Sequence, residues 1–164
     1  MNDMKANKIN FSLFLVVAMG ILVAGCSKNK DPKPGDQSQI AMKITVTASG
    51  ADQTDQVDFG VMAANHNTSQ YNAPVWKMNG TVQGNQNSIL LDLNNFTGST
   101  KTYVFETVKP FDFGGLQIHV SNLYGGPITI SYKAEINGKI ETSAENVVIA
   151  DGQSHDKNFT YAPK

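Results

Sequence analysis

The chain has 164 residues and one cysteine, and its 13 basic residues, all lysine, stand against 14 acidic residues to give a net charge of −1. A near-neutral chain without arginine lacks the basic patches and bidentate guanidinium contacts on which nucleic-acid binding depends, so no nucleic-acid partner is expected. A single cysteine excludes an internal disulfide and any cysteine-cluster zinc or iron–sulfur site. The length suits one folded domain.

The first element is an N-terminal export signal. Lys5 and Lys8 precede an uncharged, almost wholly apolar run from Phe11 to Gly25, which is 15 residues long. A bilayer-spanning helix needs about 20 apolar residues, whereas a basic start and a short apolar run that ends in small residues are typical of a secretory signal peptide. Residues 1–25 are therefore predicted to be a signal peptide, with a transmembrane anchor as the alternative.

The apolar run ends in the motif Leu22-Val23-Ala24-Gly25-Cys26, in which two small residues precede the cysteine. This motif resembles the lipobox of bacterial lipoproteins, and the resemblance covers residues 1–26 only. It implies that the Cys26 sulfur receives a diacylglyceryl group, that the chain is cut before Cys26, and that the new amino group is acylated, for example by palmitate. More than one acyl chain gives stable membrane anchoring. A free cysteine in a leader is the alternative.

A polar segment follows the cysteine. Residues 27–38 (SKNKDPKPGDQS) contain no apolar side chain except two prolines, so residues 26–38 are predicted to be the lipidated cysteine and a flexible tether. Some Gram-negative lipoproteins with Asp after the cysteine stay at the inner membrane. Ser27 at that position resembles the outer-membrane class instead. The resemblance implies export and lipid anchoring to the outer membrane, with the periplasmic and the outer side both open.

Residues 39–164 alternate apolar and polar side chains with period two, the pattern of half-buried β-strands. The clearest strands are 40–48 and 128–136, and further runs are 57–63, 87–96, 102–108, 116–121, 147–150 and 155–161. Asn79-Gly80 and Asn137-Gly138 suit type I′ hairpin turns. The pattern predicts one all-β domain, an antiparallel β-sandwich of the immunoglobulin-like Greek-key type. A small up-and-down β-barrel is the alternative.

The sequence carries no catalytic signature. His66, His119 and His155 lie far apart in the chain and form neither an HxH nor an HExxH motif. There is no GxSxG elbow for a serine nucleophile and no P-loop or GxGxxG motif for a nucleotide. The domain is therefore expected not to be an enzyme. A small metal-assisted hydrolase, in which these distant histidines converge with an aspartate, is the alternative.

A second candidate site is a cluster of carboxylates in SGADQTDQVDFG, namely Asp52, Asp55 and Asp58. Carboxylate oxygens in a loop are ligands that Ca²⁺ prefers, so these residues are candidates for a structural Ca²⁺. Their spacing does not match an EF-hand. The alternative is a polar hairpin turn whose acidic residues keep a sheet edge soluble.

Aromatic residues in or beside predicted loops are the candidate ligand contacts: Tyr71, Trp76, Phe111, Phe113 and Tyr124. Exposed aromatic rings stack on sugar rings, and the neighbouring Asn, Gln and Asp side chains can hydrogen-bond to hydroxyl groups. The alternative is that Trp76 fills the core of the sandwich and the phenylalanines close its ends.

These features favour a membrane-anchored binding or interaction module whose ligand is a glycan, a peptide or a protein. Loops at one end of a sandwich are its usual binding surface. A structural or assembly component of an envelope complex is the second hypothesis, which an exposed apolar edge strand would favour. The expected partners are the membrane, through Cys26, and a glycan or an envelope protein.

Overall fold

The structure is a computed structural model that describes residues 39–67 and 72–164. The signal peptide, Cys26, the tether and Tyr71 lie outside the described residues. The described residues belong to one compact unit. Its elements are β1 (Met42–Ser49), β2 (Gln56–Ala64), β3 (Trp76–Met78), β4 (Thr81–Val82), β5 (Ser88–Leu91), α1 (Leu93–Phe96), β6 (Lys101–Thr107), β7 (Phe113–Ser121), β8 (Ile128–Ile136), β9 (Lys139–Ile149) and β10 (Ser154–Tyr161).

The strands form two antiparallel sheets. One sheet has six strands in the order β4-β3-β6-β1-β8-β9, and the other has four in the order β10-β7-β2-β5. Of the nine connections between these ten described strands, seven pass from one sheet to the other, and only β3–β4 and β8–β9 join hydrogen-bonded neighbours. The predicted antiparallel β-sandwich is confirmed. The up-and-down barrel is wrong, because both sheets have free edges and most consecutive strands are not paired.

The core lies between the two sheets and follows from the period-two pattern. In β1, the side chains of Met42, Ile44, Val46 and Ala48 are buried, while the residues between them face outward. Because successive side chains of a strand point to opposite faces, each strand contributes one apolar row to the core and one row to solvent. The largest fully buried side chains are Trp76, Phe59, Phe96, Phe105 and Phe111.

Two predicted hairpin turns are confirmed by their backbone angles. Asn137 and Gly138 have φ values of 50° and 77°, and Asn79 and Gly80 have φ values of 50° and 81°. Positive φ at both central residues is what a type I′ turn requires. These turns join β8 to β9 and β3 to β4.

Two boundaries differ from the prediction. The run 87–96 is a strand only as far as Leu91, because Asp92 begins the short helix α1: its carboxylate accepts a hydrogen bond from Asn94 N at 3.0 Å, and its own N–H donates to Asn95 Oδ1 at 2.9 Å. Such reciprocal capping favours a helical turn over strand continuation. The run 147–150 is not a separate strand: its first three residues are the end of β9, whose register against β8 shifts twice. No helix among the described residues is long and apolar enough to cross a bilayer.

Candidate ligand-binding site

The outer face of the four-stranded sheet carries a shallow cavity of about 590 Å³, called the trough below. The register of β10, β7, β2 and β5 places its outward-facing residues in two rows of cross-strand neighbours, which are Asn158, Gln117, Gly60 and Leu90, and then Thr160, Gly115, Met62 and Ser88. Phe113 lines one end. The trough therefore runs across all four strands of this sheet.

The floor of the trough is low because two of its central positions are glycines. A Cβ on Gly115 would lie 2.9 Å from the carbonyl oxygen of Phe159, so the close approach of β10 requires a glycine there. A Cβ on Gly60 would meet only Gln117 Cβ at 3.6 Å and Leu90 Cδ1 at 3.8 Å, which are ordinary contacts. Gly60 is thus not needed for packing, and its missing side chain leaves open space above the sheet. Glycine inside a strand is typical of places where a ligand or another backbone approaches closely.

The polar side chains of the trough make no hydrogen bonds to other described residues. Among the described residues, the side chains of Ser88, Gln117, Asn158 and Thr160 have no hydrogen-bond partner. The residues that line the trough include no Asp, Glu, Lys or His. The trough is therefore an uncharged surface with four polar side chains that are free to bond to a ligand.

The outer face of the six-stranded sheet is different, because it carries charged side chains and several of its polar side chains bond to one another. Lys43 Nζ lies 3.1 Å from a Glu106 carboxylate oxygen, and Lys133 lies 3.0 Å from Glu135. The hydroxyls of Thr47 and Thr102 are 2.9 Å apart. This face also carries a smaller cavity of about 330 Å³, but its lining includes the charged residues Lys133 and Glu145.

Charged groups lie beyond one end of the trough. Asp58, His119 and Asp156 are cross-strand neighbours in the row next to Gly60 and Gln117. His119 Nδ1 hydrogen-bonds to the Asp156 carboxylate. Asp58 accepts a hydrogen bond of 2.8 Å from Gln56 Nε2. These charges have local partners and lie outside the lining of the trough.

The other end of the trough is fixed by Asp112. Its carboxylate accepts hydrogen bonds from Gln39 Nε2 at 2.9 Å and from His66 N at 2.7 Å, and lies 3.0 Å from His66 Nδ1. The hydrogen bond from Gln39 and that from the His66 backbone hold the pKa of the Asp112 carboxyl below its usual range. The His66 ring packs edge-on against Phe113, with ring centroids 5.4 Å apart. Asp112 thereby links Gln39 to His66 in the β2–β3 connection, and His66 in turn packs against Phe113 in the trough.

The structure brings only one of the five candidate aromatic residues into the trough. Phe113 is half-buried at its end, whereas Tyr124 is 74% exposed on the β7–β8 connection. Trp76 and Phe111 are completely buried. This corrects their assignment as ligand contacts, because a ring enclosed by the core offers no face to a ligand. Tyr71 lies outside the described residues.

The four polar residues of the trough were missed by the sequence interpretation, which looked for aromatic side chains in loops. The available signal was Gly60, which lies inside the predicted strand 57–63, since a mid-strand glycine indicates a close approach. Gly115 precedes the predicted strand 116–121, and its place inside β7 was not predicted. A second signal was the outward-facing pair Gln117 and Asn158, which are amides where most outward positions elsewhere carry charge or hydroxyl groups. Neither signal reveals that these residues are neighbours.

The three candidate Ca²⁺ ligands do not come together as a set. Asp55 is buried, and its carboxylate accepts hydrogen bonds from Asp52 N at 2.9 Å and from Leu123 N at 3.1 Å, so it joins the β1–β2 and β7–β8 connections. Asp58 faces outward from β2 beside His119. No group of three His, Cys, Asp or Glu side chains able to hold a metal ion occurs within residues 39–67 and 72–164. The grouping of three carboxylates is therefore corrected.

Asp52 is exposed and retains one free carboxylate oxygen. Its Oδ1 accepts hydrogen bonds from the hydroxyl of Thr54 at 2.6 Å and from Thr54 N at 2.8 Å, and these bonds lower the pKa of the Asp52 carboxyl. Its Oδ2 lies beside Gly125, where a Cβ would be only 3.1 Å away. The Tyr124 carbonyl oxygen is 3.2 Å from the same Thr54 hydroxyl. Asp52 and the Tyr124 carbonyl therefore contact the same Thr54 hydroxyl.

The three histidines have separate partners. His66 contacts Asp112, and His119 contacts Asp156. His155 Nε2 lies 3.4 Å from the hydroxyl of Tyr132, and burial lowers the pKa of His155. The histidines are thus not gathered around a common point.

No family model matches the chain, and no curated protein is similar to it in sequence. Three solved structures share its fold. A protein from Parabacteroides distasonis, solved by NMR in its calcium-bound form, has a TM-score of 0.56 and 17% identity, over 80% of this chain and 98% of that one. A domain of unknown function, DUF4425, from Bacteroides vulgatus has a TM-score of 0.52 and 18% identity, over 78% of this chain and 97% of that one.

The third structure is a DUF4425 family protein from Bacteroides ovatus, with a TM-score of 0.50 and 22% identity, over 76% of this chain and 95% of that one. Identities this low establish similarity of fold alone. A fold does not by itself identify a function, which has to be argued from the site.

Proposed function

We propose that this protein is an envelope lipoprotein, anchored to the outer membrane through Cys26, whose sandwich is a non-catalytic domain that binds an uncharged ligand in the trough. The observation that carries the proposal is the combination of an open floor at Gly60 with four polar side chains that have no protein partner. Concave, largely apolar surfaces with a few convergent polar groups are where small ligands usually bind.

The absence of charge in the lining supports an uncharged ligand. An ionised group that enters the trough would lose part of its hydration without gaining an opposite charge, and such a loss is costly. Ser88, Gln117, Asn158 and Thr160 lie on strands rather than on loops, so they are already held in place. Binding to a preformed site avoids the entropy cost of ordering a loop.

The tether supports a domain that works at a distance from its anchor. Residues 27–38 span up to about 40 Å when extended, at 3.3–3.6 Å for each residue. The described chain begins at Gln39, whose side chain bonds to Asp112 beside the Phe113 end of the trough. A lipid anchor followed by a polar spacer lets one domain sample ligands near the membrane surface.

A role in assembly is the second candidate, and the edge strand β9 favours it. Ile140 and Val148 of this strand are 61% and 63% exposed. An unpaired strand edge with apolar side chains can pair with another chain. However, β9 has two register shifts against β8 and carries Lys139, Glu141 and Glu145, and both irregular register and edge charge discourage pairing.

The proposal includes one Ca²⁺ whose roughly six to eight oxygen ligands include Asp52 Oδ2 and the Tyr124 carbonyl. It is supported by the shared contact of Asp52 and Tyr124 with Thr54 and by the calcium-bound form of the Parabacteroides distasonis protein. Ca²⁺ is expected to raise the melting temperature above the value measured with a chelator. At a free Ca²⁺ concentration of 100 times Kd, the free energy of unfolding should increase by about 2.7 kcal/mol. Asp52→Asn should abolish this rise, whereas Asp58→Asn, which changes a carboxylate on the outer sheet face, should keep it. An equal response of both variants, or no rise in the unmodified protein, would contradict the Ca²⁺ site.

Photo-crosslinking in living cells tests the binding surface itself. A benzophenone amino acid replaces either Leu90 at the trough or Val148 on β9, two side chains with similar exposures of 66% and 63%. We expect an envelope adduct from position 90 and none from position 148, measured as a mass shift after irradiation. Adducts from position 148 alone would favour the assembly role, and no adduct from either position would contradict binding at the trough.

A further inference from the structure

We infer that the ligand of the trough is an uncharged saccharide chain. The inference rests on the proposed function and names the ligand class for the same surface. It is carried by the way in which apolar surface, side-chain amides and open backbone alternate across the four strands.

The apolar part of the trough suits the C–H face of a sugar ring. Met62 and Leu90 are 40% and 66% exposed, and Phe113 offers an aromatic side chain at one end. Gly60 carries no side chain, so a flat ring can lie close to the backbone there, and the Met62 side chain lies against Gly115. A cyclic sugar has hydroxyl groups around its edge and a less polar C–H face, and therefore needs this kind of mixed surface.

The polar part of the trough suits the hydroxyl groups. Gln117 and Asn158 are cross-strand neighbours, and each amide offers one acceptor and two donors. A sugar hydroxyl group both donates and accepts hydrogen bonds. One of two adjacent hydroxyls can therefore bond to the Gln117 amide and the other to the Asn158 amide. Thr160 and Ser88 lie in the next row, about 7 Å further along the strands at 3.3–3.4 Å for each residue. Polar groups therefore occur on both sides of the glycine floor.

An acyl chain fits this surface less well. It would cover the amides of Gln117 and Asn158 without offering them a hydrogen bond, and buried unpaired polar groups are costly. The same cost applies to the hydroxyls of Ser88 and Thr160. A saccharide satisfies these groups and also uses the apolar floor.

An extended peptide fits less well for a different reason. Peptides recognised by sheets usually pair their backbone with a free strand edge, because the edge supplies N–H and C=O groups. The trough lies on a sheet face, where the backbone groups of β7 and β2 already bond to neighbouring strands. A peptide there would depend on four side chains to satisfy its own amide groups.

Gly60 provides a direct way to fill the site. A Cβ at this position makes only ordinary contacts, with Gln117 Oε1 3.9 Å away, and the backbone is not in the left-handed region. Valine is favourable in a strand, so Gly60→Val should fold normally while its methyl groups occupy the floor beside the Gln117 amide. Gly126→Val is the matched control, because its Cβ would have no neighbour within 4 Å and the residue lies away from the trough.

The experiment measures binding of the full lipidated protein in phospholipid nanodiscs to immobilised or dissolved probes. The probes are neutral polysaccharides (dextran, mannan, laminarin, xylan and galactan), an anionic polysaccharide (polygalacturonate), an uncharged Ser/Asn/Gln peptide and laurate. We expect at least one neutral polysaccharide to bind and polygalacturonate to bind less well. Gly60→Val and Gln117→Ala should each weaken binding about tenfold or more, and Gly126→Val should leave it within about twofold.

The outcomes separate this inference from the proposed function. Polysaccharide binding that Gly60→Val leaves unchanged would overturn the inference, because the sugar would then bind elsewhere. Binding of laurate or the peptide alone, weakened by Gly60→Val, would overturn the saccharide class while the trough remained a binding surface. Failure of every probe would also overturn the saccharide class, and the adducts at position 90 would then decide the proposed function separately. If Gly60→Val does not fold, as judged by circular dichroism, Gln117→Ala replaces it in each comparison.

Discussion

Replacing Trp76 with alanine is expected to lower the free energy of unfolding by about 3–5 kcal/mol, the usual cost of removing a large aromatic side chain from a core. Trp76 is completely buried, and its ring lies 6.3 Å from that of Phe105 in an edge-on arrangement. Its Nε1–H donates to the Asn87 carbonyl at 3.1 Å, so the variant also loses this hydrogen bond. Since single domains have only about 5–15 kcal/mol of stability, this loss is a large fraction.

Urea denaturation followed by circular dichroism measures the effect. Tyr124→Ala, which removes an aromatic side chain that is 74% exposed, should change stability by less than about 0.5 kcal/mol. Trp76→Phe should cost less than Trp76→Ala, because it leaves a smaller cavity. If Trp76→Ala costs no more than Tyr124→Ala, the position of Trp76 in the core is wrong.

The role of Trp76 extends to the trough. Asn87, whose carbonyl accepts the indole N–H, directly precedes β5, and Ser88 and Leu90 of this strand form one side of the trough. Ala63 N also donates to the Asn87 carbonyl, at 2.9 Å. The buried Trp76 side chain thus holds the start of β5, the edge strand that borders the trough. Trp76 therefore lies near the candidate site, but on the core side of the sheet.

The local features of the fold were predictable because they depend on neighbouring residues. The alternation from Met42 to Ala48 and the Asn137-Gly138 turn each express a preference of a few consecutive residues, and the structure confirms both. The short helix α1 was not predicted, because its cap depends on two side-chain hydrogen bonds of Asp92 and Asn95 rather than on periodicity. Apolar residues in that run suit a strand and a helical turn equally well.

The candidate site was not predictable to the same degree, because it depends on strand register and on sheet membership. Gly60 and Gln117 are 57 positions apart in sequence yet are direct neighbours, and Asn158 lies on the other side of Gln117. Register is set by the packing of all four strands, and a shift of one residue would turn these side chains into the core. The amino-acid sequence alone indicates which residues face outward, but not which of them are neighbours on adjacent strands.

Cys26→Ala is expected to abolish lipid attachment completely, because the sulfur is the proposed site of the diacylglyceryl group. Each buried CH₂ contributes about 0.8 kcal/mol to membrane binding, so the loss of all acyl chains removes the whole anchor. Metabolic labelling with an alkyne analogue of palmitate, followed by separation of membrane and soluble fractions, measures the change. The unmodified protein should carry the label in the membrane fraction, and the variant should carry none.

Ser27→Asp is the matched control, since it alters the neighbouring residue and retains the thiol. It should keep the label, and the resemblance to Gram-negative lipoproteins implies that it should move from the outer to the inner membrane fraction. Because an uncut leader could hold Cys26→Ala in the membrane through the run from Phe11 to Gly25, the label and the mass of the chain decide the result, not the fraction alone. A palmitate label that persists in Cys26→Ala would contradict lipidation at this residue. An unmodified protein that carries no label and keeps its full uncut mass would favour the transmembrane anchor, since an apolar run that is never cleaved stays in the bilayer by itself.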